Sequence, residues 1–316
     1  MSTSPATADV TKKKLEAGLI WFDGELKPQA DATVSVLSHS LHYGSSVFEG
    51  IRAYETPKGA AIFRLKEHAQ RLLDSAKIIG TPVKYSLDEV CDAISQTVRE
   101  NNYASCYIRP LIWYGGEVLS IDPRSNDVHF MVAAWSWGNY LGDDAVTKGA
   151  RLMTSSWRRS PGDVLATKAK AGGNYINSVL ANLEAHDNGF DEALLLDKEG
   201  FVAEGSGENI FFIKNGVLHP ISHSINLRGI TRDSVIKVAQ WLDMPIETTM
   251  ATRDELYAAD EVFMVGTAAE VTPIASIDRR DIGTGKAGEH TLKIREAYLN
   301  ACTGKLPEFE SWLTYV

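Results

Sequence analysis

Residues 168–175 read KAKAGGNY and lie near the middle of the chain. Lys170 stands just before Gly172 and Gly173, and glycine lets the backbone pass close to a bulky neighbour. A lysine beside such an opening, at the entrance to a helix, is well placed to bond covalently to an aldehyde. The helix is predicted from about residue 174 to residue 188, because apolar side chains recur at i, i+3, i+4 and i+7: Ile176, Val179, Leu180 and Leu183.

The composition around this stretch is that of an ordinary globular protein. A chain of 316 residues corresponds to about two domains, and 44% apolar with 23% charged residues is typical. Lysine and arginine number 32 against 41 aspartates and glutamates, which gives a net charge of -9. That sign disfavours phosphate backbones and anionic lipid, so we expect no nucleic-acid partner and no membrane partner. No apolar run approaches the ~18 residues of a membrane span.

The cysteines and histidines indicate neither a disulfide framework nor a metal site. Cys91, Cys106 and Cys302 are far apart and form no CxxC spacing. This distribution indicates a reducing compartment, and we expect a cytoplasmic protein. His39 and His42 are three residues apart with no third ligand nearby, so no metal is expected.

Hydrophobic patterning predicts a small N-terminal domain over residues 16–133, after a flexible leader of residues 1–15. A capping box of Ser86 and Glu89 predicts a helix that ends near residue 101, and a second helix is predicted over 65–76. An aromatic, glycine-bearing stretch without either period, residues 134–145, is the predicted interdomain loop. The strands of this domain are predicted at 19–22, 25–26, 46–54, 60–63, 105–114 and 128–135.

A larger C-terminal domain is predicted over residues 146–316. After the helix of residues 174–188 it contains a further helix over 231–242. Its strands are predicted at 193–196, 201–204, 209–214, 217–218, 261–265 and 271–274.

Common nucleotide-binding and hydrolase motifs are missing from the sequence. Gly205-Ser206-Gly207 has Ile210 where a dinucleotide fingerprint has its third glycine, and a strand follows instead of a helix. The sequence contains no P-loop, no GxSxG elbow and no HExxH motif. The lysine segment therefore remains as the candidate for chemistry, and pyridoxal phosphate is the cofactor that most often uses such a lysine.

Pyridoxal phosphate makes three further demands, and the sequence offers a candidate for each. Gly229-Ile230-Thr231 at a helix start and Gly266-Thr267 at a strand end suit the phosphate. Glu204, at the end of a strand, suits the ring nitrogen, and Tyr175 suits the ring hydroxyl. Taken singly, each is explained better by a helix cap, a surface turn or a solvated side chain, so the hypothesis depends on their combination.

The chain from about residue 20 onward resembles a known family. It is similar to the branched-chain amino acid aminotransferases of class IV, the fold type IV pyridoxal-phosphate enzymes, and most closely to their bacterial form. The resemblance is carried, in order, by Ser40-Leu41-His42-Tyr43-Gly44, Phe48-Glu49-Gly50-Ile51-Arg52, Glu67-His68-x-x-Arg71-Leu72, Tyr107-Ile108-Arg109-Pro110, Lys170-Ala-Gly-Gly-Asn-Tyr175, Glu204-Gly-x-Gly207-Glu208-Asn209, Gly229-Ile-Thr231-Arg232-Asp233 and Gly266-Thr267-Ala-Ala-Glu270-Val-Thr272-Pro273.

The resemblance implies an α+β fold of two domains, a small α/β sandwich-like N-terminal domain and a larger C-terminal domain with a barrel-like β-sheet and helices. It implies reversible transfer of the amino group of L-leucine, L-isoleucine or L-valine to 2-oxoglutarate, which gives the 2-oxo acid and L-glutamate by a ping-pong route. The family also implies a homodimer or a hexamer, and no residue pattern chooses between them.

Residue roles follow from the resemblance as well. Lys170 is implied to be the Schiff-base lysine and the acid/base at the substrate Cα. The other implied cofactor-binding residues are Arg71, Tyr175, Glu204, Gly207, Ile230, Thr231, Gly266 and Thr267. The implied substrate-binding residues are Tyr43, Phe48, Gly50, Arg52, Tyr107, Arg109, Trp137, Tyr140, Thr267 and Ala268. Among these, Arg109 is implied to take the distal carboxylate of glutamate.

Two features depart from the family pattern. Lys168 places a second amine two residues from Lys170, where close relatives usually have a small residue. Residues 115–121, which in the family belong to a loop reaching the neighbouring subunit's active site, differ in detail, so the preference among leucine, isoleucine and valine is not predicted. The alternatives are D-amino acid transamination or aminodeoxychorismate lysis within the class, and a non-catalytic pyridoxal-phosphate carrier outside it.

Overall fold

The computed structural model describes residues 17–137, 148–222 and 225–316. Two β-sheets, one of them a curled half-barrel, carry helices on their faces. The predicted α+β fold is therefore confirmed. The leader predicted over residues 1–15 lies outside the described residues. Within the described ranges, no helix is long and apolar enough to cross a membrane.

The first sheet is antiparallel throughout its described pairs. Its strands are β1 (Leu19–Phe22), β2 (Glu25–Pro28), β3 (Val47–Phe48), β4 (Ile51–Thr56), β5 (Gly59–Phe63), β6 (Cys106–Tyr114), β7 (Val128–Trp135) and, from the end of the chain, β16 (Leu313–Tyr315). Their order is β16-β5-β4-β6-β7-β1-β2, with β3 beside β6. The hairpin predicted at Asp23-Gly24 is confirmed, since both residues have positive φ, 51° and 107°.

Three helices accompany this sheet: α1 (His39–Tyr43), α2 (Leu65–Ile78) and α3 (Leu87–Glu100). The capping box predicted at Ser86 is present, because its hydroxyl accepts the Glu89 N–H while the Glu89 carboxylate accepts the Ser86 N–H. Both long helices bury one apolar face against the sheet. Leu72 of α2 and Ile94 of α3 are fully buried.

The second sheet is mixed, with parallel strand pairs at its centre and antiparallel pairs on either side. Its strands are β8 (Ala150–Arg158), β9 (Glu192–Leu196), β10 (Val202–Gly205), β11 (Asn209–Lys214), β12 (Val217–Pro220), β13 (Glu261–Gly266), β14 (Glu270–Ile277) and β15 (Arg280–Asp281). Their order is β10-β9-β8-β14-β13-β11-β12, with β15 beside β14. Strand β8 pairs in parallel with both β9 and β14. The helices of this part are α4 (Tyr175–Asp187), α5 (Ile230–Trp241), α6 (Arg253–Tyr257) and α7 (Glu289–Cys302).

Strand β8 and helices α6 and α7 were not predicted from the sequence. The core face of α7 includes Thr291, Ala297 and Ala301 beside Ile294 and Tyr298. Small and polar residues on a buried face weaken the periodic apolar signal that predicts a helix.

Helix α4 forms where the sequence predicts it, but its large apolar side chains do not face the core. The buried positions are Ser178 and Ala181, with Ala185 one turn later. These small residues let α4 lie close to β8 and β9. Ile176, Val179 and Leu183 are 63%, 50% and 54% exposed. We call these three residues the outer stripe of α4.

The two sheets share a continuous apolar core. One buried cluster contains Tyr54 and Phe63 of the first sheet, Phe263 of the second sheet and Tyr298 of α7. The predicted division of the chain at residues 134–145 remains a prediction. Strand β7 continues to Trp135, and residues 138–147 lie outside the described residues.

Candidate active site

A cavity of about 240 Å³ lies between the two sheets. It is bounded by β3, β6, the lysine segment, the turn after β10, the start of α5 and the turn between β13 and β14. Most of the predicted site residues line it: Phe48, Gly50, Arg71, Tyr107, Arg109, Lys170, Tyr175, Glu204, Gly207, Ile230, Thr231, Gly266, Thr267 and Ala268.

Backbone hydrogen bonds hold the lysine segment against the first sheet. The Lys170 carbonyl accepts the Phe48 N–H at 3.0 Å, and the Lys170 N–H donates to Ser75 Oγ of α2 at 3.0 Å. Two residues on, the Gly172 N–H donates to the Ser46 carbonyl at 2.8 Å. The position of the lysine is thus fixed by a strand and a helix of the other half of the chain.

The glycines of this segment allow a close backbone contact with another segment of the protein, residues 44–46. A Cβ on Gly172 would lie 2.6 Å from Ser46 Oγ. The Gly173 N–H donates to the Gly44 carbonyl at 3.0 Å. Gly44 itself has φ +67°, and a Cβ there would lie 2.9 Å from Gly173 Cα. Side chains at these positions would force the two segments apart.

The Lys170 amine lies at the cavity wall between two aromatic rings. Its Nζ donates to Tyr175 Oη at 2.5 Å. It lies 4.8 Å from the ring centroid of Phe48 and 4.9 Å from that of Tyr175. The ring faces attract the amine when it is charged, and the phenol oxygen gives it a hydrogen-bond partner.

Lys168 occupies a different environment. Its Nζ donates to the Asn226 carbonyl at 2.6 Å, and the residue does not line the cavity. Burial, and then the nearby charge of Arg228, lower the pKa of Lys168. The backbone geometry therefore places only Lys170 of this pair at the cavity.

The carboxylate of Glu204 lies across the cavity and is 9% exposed. Arg159 Nε lies 2.8 Å from Glu204 Oε1, and Asn209 Nδ2 donates to Oε2 at 3.3 Å. Burial raises the pKa of Glu204, while the charges of Arg159 and Lys170 oppose that rise. A buried carboxylate opposite a lysine is suited to an aromatic ring nitrogen.

An anion cradle forms at the far end of the cavity. Helix α5 begins at Ile230 after Gly229, and no side chain caps its first turn. Ile230 and Thr231 of this first turn line the cavity. The N–H groups of a first helical turn have no partner within the helix, so they can bind an anion there. The turn of Gly266 and Thr267 lines the same region.

Arg71 reaches this region from α2 and is held by a buried acid. Its Nε and Nη2 donate to the two carboxylate oxygens of Glu49 at 2.6 and 2.8 Å, and its Nη1 donates to the Arg228 carbonyl at 2.9 Å. His68 Nδ1 lies 2.7 Å from Glu49 Oε2. Burial alone raises the pKa of Glu49, but the charges of Arg71 and His68 and their hydrogen bonds hold it far below its ordinary value.

The side-chain end of the cavity combines aromatic rings with one cation. The Arg109 guanidinium lies 4.9 Å from the ring centroid of Phe48 and 5.5 Å from that of Tyr107. Its Nη2 donates to Tyr107 Oη at 3.4 Å, and its Nε has no hydrogen-bond partner among the described residues. Gly50 makes room for Tyr107, because a Cβ there would lie 2.0 Å from Tyr107 Oη.

Comparison with known proteins places the chain. The family model described as amino-transferase class IV matches residues 46–277. This chain belongs to the class IV aminotransferases. The branched-chain-amino-acid aminotransferase of Pseudomonas aeruginosa is 49% identical to it over 299 residues, which cover 95% of this chain and 97% of that protein.

Solved structures agree with this class IV aminotransferase in fold. The branched-chain amino acid aminotransferase of the organism abbreviated T.th., with pyridoxamine 5'-phosphate, has a TM-score of 0.94 and 59% identity, over 96% of this chain and 99% of that one. The same protein complexed with N-(5'-phosphopyridoxyl)-L-glutamate has a TM-score of 0.93 and 58% identity, with the same coverage. The predicted family is confirmed.

Three described residues that were predicted for the site lie outside the lining of the cavity. Arg52 Nη1 lies 2.9 Å from Glu270 Oε1, on the face of β4 that Arg52 shares with Tyr54, which donates to the same oxygen. Trp137 packs against Tyr107, with ring centroids 5.0 Å apart. Tyr43 is 44% exposed on α1. Tyr140 lies outside the described residues, and its role stays a prediction.

Three charged residues near the cavity were missed as site residues. Glu49 and Glu208 stand inside motifs that carry the family resemblance, so their position in those motifs was an available signal. Arg159 stands in no quoted motif. Its Nη1 donates to Asn177 Oδ1 at 3.0 Å and its Nη2 donates to the Gly205 carbonyl at 2.8 Å, and no local pattern in the sequence indicates these contacts.

Replacing Glu49 by glutamine tests its role in holding Arg71. We expect Glu49→Gln to weaken binding of pyridoxal 5'-phosphate to the apoenzyme about tenfold, or about 1.4 kcal/mol, because a neutral amide no longer fixes the buried guanidinium. Fluorescence titration of the apoenzyme with the cofactor measures the change. Glu67→Gln, on the helix that carries Arg71 and paired with Arg64, is the control and keeps wild-type affinity. Unchanged or tighter binding by Glu49→Gln contradicts this role.

Proposed function

We propose that this class IV aminotransferase transfers the amino group of L-leucine, L-isoleucine or L-valine to 2-oxoglutarate, with pyridoxal 5'-phosphate as its cofactor. The observation that carries the proposal is the Lys170 amine at 2.5 Å from Tyr175 Oη in a cavity that also contains Glu204 and the open start of α5. When bound, the cofactor supplies an aldehyde for the lysine amine and a ring that withdraws electrons from the substrate Cα.

The cavity residues fit that cofactor at each of its polar groups. Lys170 would hold the aldehyde carbon, Tyr175 the ring hydroxyl and Glu204 the ring nitrogen. Arg71 would clamp the phosphate as a charged partner. The remaining phosphate donors and turn glycines are Ile230, Thr231, Thr267, Gly207 and Gly266.

Lys170 is the residue that moves the proton at the substrate Cα. Its amine would act as the base that takes this proton. Tyr175 Oη, at 2.5 Å, is the group that orients the amine. Glu204, paired with Arg159 at 2.8 Å, would favour a protonated ring nitrogen, which strengthens electron withdrawal.

One pocket accepts two kinds of substrate side chain. Phe48 and Tyr107 give it an apolar surface for a branched aliphatic chain, and Arg109 gives it a cation for the distal carboxylate of glutamate. Thr267 and Ala268, which line the cavity at the turn between β13 and β14, would hold the substrate α-carboxylate. The T.th. relative complexed with a phosphopyridoxyl glutamate supports glutamate as the second substrate.

Assembly into a homodimer or a hexamer is part of the proposal. The outer stripe of α4 is apolar and exposed, and large exposed apolar patches mark interaction surfaces. Val36, Leu41 of α1 and Ile121 of the 115–121 loop are further exposed apolar residues, at 80%, 67% and 80% exposure.

We also propose that the protein is cytoplasmic. Its three cysteines are free and buried, which fits the reducing environment of the cytoplasm.

The absorption spectrum of the holoenzyme tests the reaction. We expect the cofactor band to change on adding L-leucine and to return on adding 2-oxoglutarate, because the proposed reaction takes the amino group from the first and gives it to the second.

Replacing the two lysines one at a time tests which of them is catalytic. We expect Lys170→Ala to abolish turnover and Lys168→Ala to keep most of it, since only Lys170 lines the cavity. Equal loss in both variants contradicts the assignment. Turnover of D-alanine or aminodeoxychorismate without turnover of L-leucine favours the other activities of the class.

Replacing Arg109 by alanine tests the dual pocket. We expect kcat/KM to fall at least about a hundredfold for glutamate and 2-oxoglutarate and much less for leucine, because only the former carry a distal charge. Steady-state kinetics with each substrate measure the ratio. A matched control is Arg99→Ala on the exposed face of α3, which leaves both values unchanged. An equal fall for all substrates argues against the dual pocket.

A charge placed on the outer stripe of α4 tests the assembly. We expect Val179→Glu to give a smaller species than the wild type in light scattering after size exclusion, because an interface buries that side chain. Lys66→Glu, on the exposed side of α2, introduces the same residue and keeps the wild-type mass. A Val179→Glu variant with the wild-type mass removes the stripe from the interface.

A further inference from the structure

Three carboxyl groups, two of which line the cavity, lie close together beside the buried guanidinium of Arg159. Glu192 of β9 is fully buried, Glu204 of β10 is 9% exposed and Glu208 of the following turn is 6% exposed. Arg159, from the loop after β8, is 9% exposed. The other cations facing this group, Lys168 and Lys170, act on Glu204. Three buried anions beside one arginine are unfavourable, so one of the acids is expected to keep its proton.

The ion pairs and hydrogen bonds around each acid indicate which one is neutral. Glu204 forms an ion pair with Arg159, whose Nε lies 2.8 Å from Oε1, and it accepts the Asn209 amide at 3.3 Å. Glu192 accepts the Ala193 N–H at 2.6 Å and the Asn182 amide at 3.1 Å. Among the described residues, Glu208 has one such partner, the Gly207 N–H at 3.1 Å. An ionised carboxylate has about four acceptor sites, so the acid with the fewest partners is the one least suited to the charged form.

The position of Glu208 is fixed by the turn that follows β10. Its carbonyl accepts the Gly205 N–H at 2.7 Å, which closes the turn. A Cβ on Gly205 would lie 2.8 Å from Glu208 Oε2, so glycine is needed for the carboxyl group to lie against the backbone. Glu208 also lines the cavity beside Ser206 and Gly207. The turn and the Gly207 N–H therefore position the Glu208 carboxyl group.

We infer that Glu208 carries its proton at neutral pH and acts as a positioning residue, a neutral acid that leaves the guanidinium of Arg159 to Glu204 alone. An ionised Glu208 would compete for Arg159 and weaken the pair that Glu204 needs beside the ring nitrogen. Burial first, and then the charge of Glu192, raise the pKa of Glu208 to about 8. The link to the ring nitrogen rests on the proposed cofactor placement, while the protonation of Glu208 does not.

Infrared titration of the wild-type holoenzyme tests the protonation directly. We expect a carbonyl band of a protonated carboxylic acid at pH 7 that is lost as the pH rises through about 8, and that is missing at pH 7 in Glu208→Gln. A wild-type spectrum without such a band overturns the inference even if the variant does not fold. A band that persists unchanged in Glu208→Gln overturns it as well.

Thermal unfolding gives a second readout with a defined sign. A folded-state pKa raised from 4.5 to about 8 means that the folded state binds more protons between these values, so wild-type stability falls as pH rises from 4.5 to about 8. We expect the Tm of Glu208→Gln to exceed that of the wild type by an increasing margin across this window. Glu25→Gln, at a side chain 78% exposed, is the control and shows no such trend. A margin that does not change with pH overturns the inference.

The cofactor spectrum separates this inference from the proposed function. At pH 7 we expect Glu208→Gln to keep the wild-type absorption maximum, because an amide replaces a neutral acid, and Glu204→Gln to shift it, because the ring nitrogen loses its anionic partner. A shifted maximum in Glu208→Gln overturns the neutral state of Glu208. An unshifted maximum in Glu204→Gln overturns the placement of the ring nitrogen, and with it the positioning role, while the infrared band still reports on the proton.

Discussion

The contact between the lysine segment and the first sheet is the constraint on which the rest of the structure depends. The Phe48 N–H, the Lys170 carbonyl, the Gly172 N–H and the Ser46 carbonyl join two parts of the chain more than 120 residues apart. This contact between residues 46–48 and 170–172 holds the lysine segment at the wall of the cavity. A substitution that separates the two segments would move the Lys170 amine away from the groups on the second sheet.

Two arginines, the half-buried Arg71 and the buried Arg159, give the cavity its charge pattern, and each is fixed by an acid. Arg71 is held by Glu49 at one end, and Arg159 is held by Glu204 at the other. A buried ion pair costs desolvation energy that its Coulomb attraction often does not exceed. The pairs are therefore better understood as devices of orientation than of stability. In the proposed function, the first pair would orient Arg71 toward the phosphate of the cofactor. The second would orient Glu204 toward the ring nitrogen.

The sequence predicted the parts of the site that belong to local patterns. Lys170 precedes a helix, Thr231 lies in the first turn of another and Glu204 lies near the end of a strand, and each of these signals is present within a few residues of sequence. Arg159 could not be found in this way, because its partner Glu204 is 45 positions further along the chain and only the sheet brings them together. The ion pair of Arg52 with Glu270 was likewise not predicted, because the two residues lie far apart in the chain. The apolar stripe of α4 was read correctly as a helix, but periodicity alone does not say which neighbour covers it.

The last strand, β16, pairs with β5 in the sheet that is otherwise built from the first half of the chain. Because β16 follows every other described strand of that sheet in the chain, it leaves the ribosome after them. The edge of β5 thus stays unpaired until β16 has been synthesised, and an unpaired edge strand invites pairing with other chains. The nascent protein therefore passes through an aggregation-prone period that ends when β16 docks on β5.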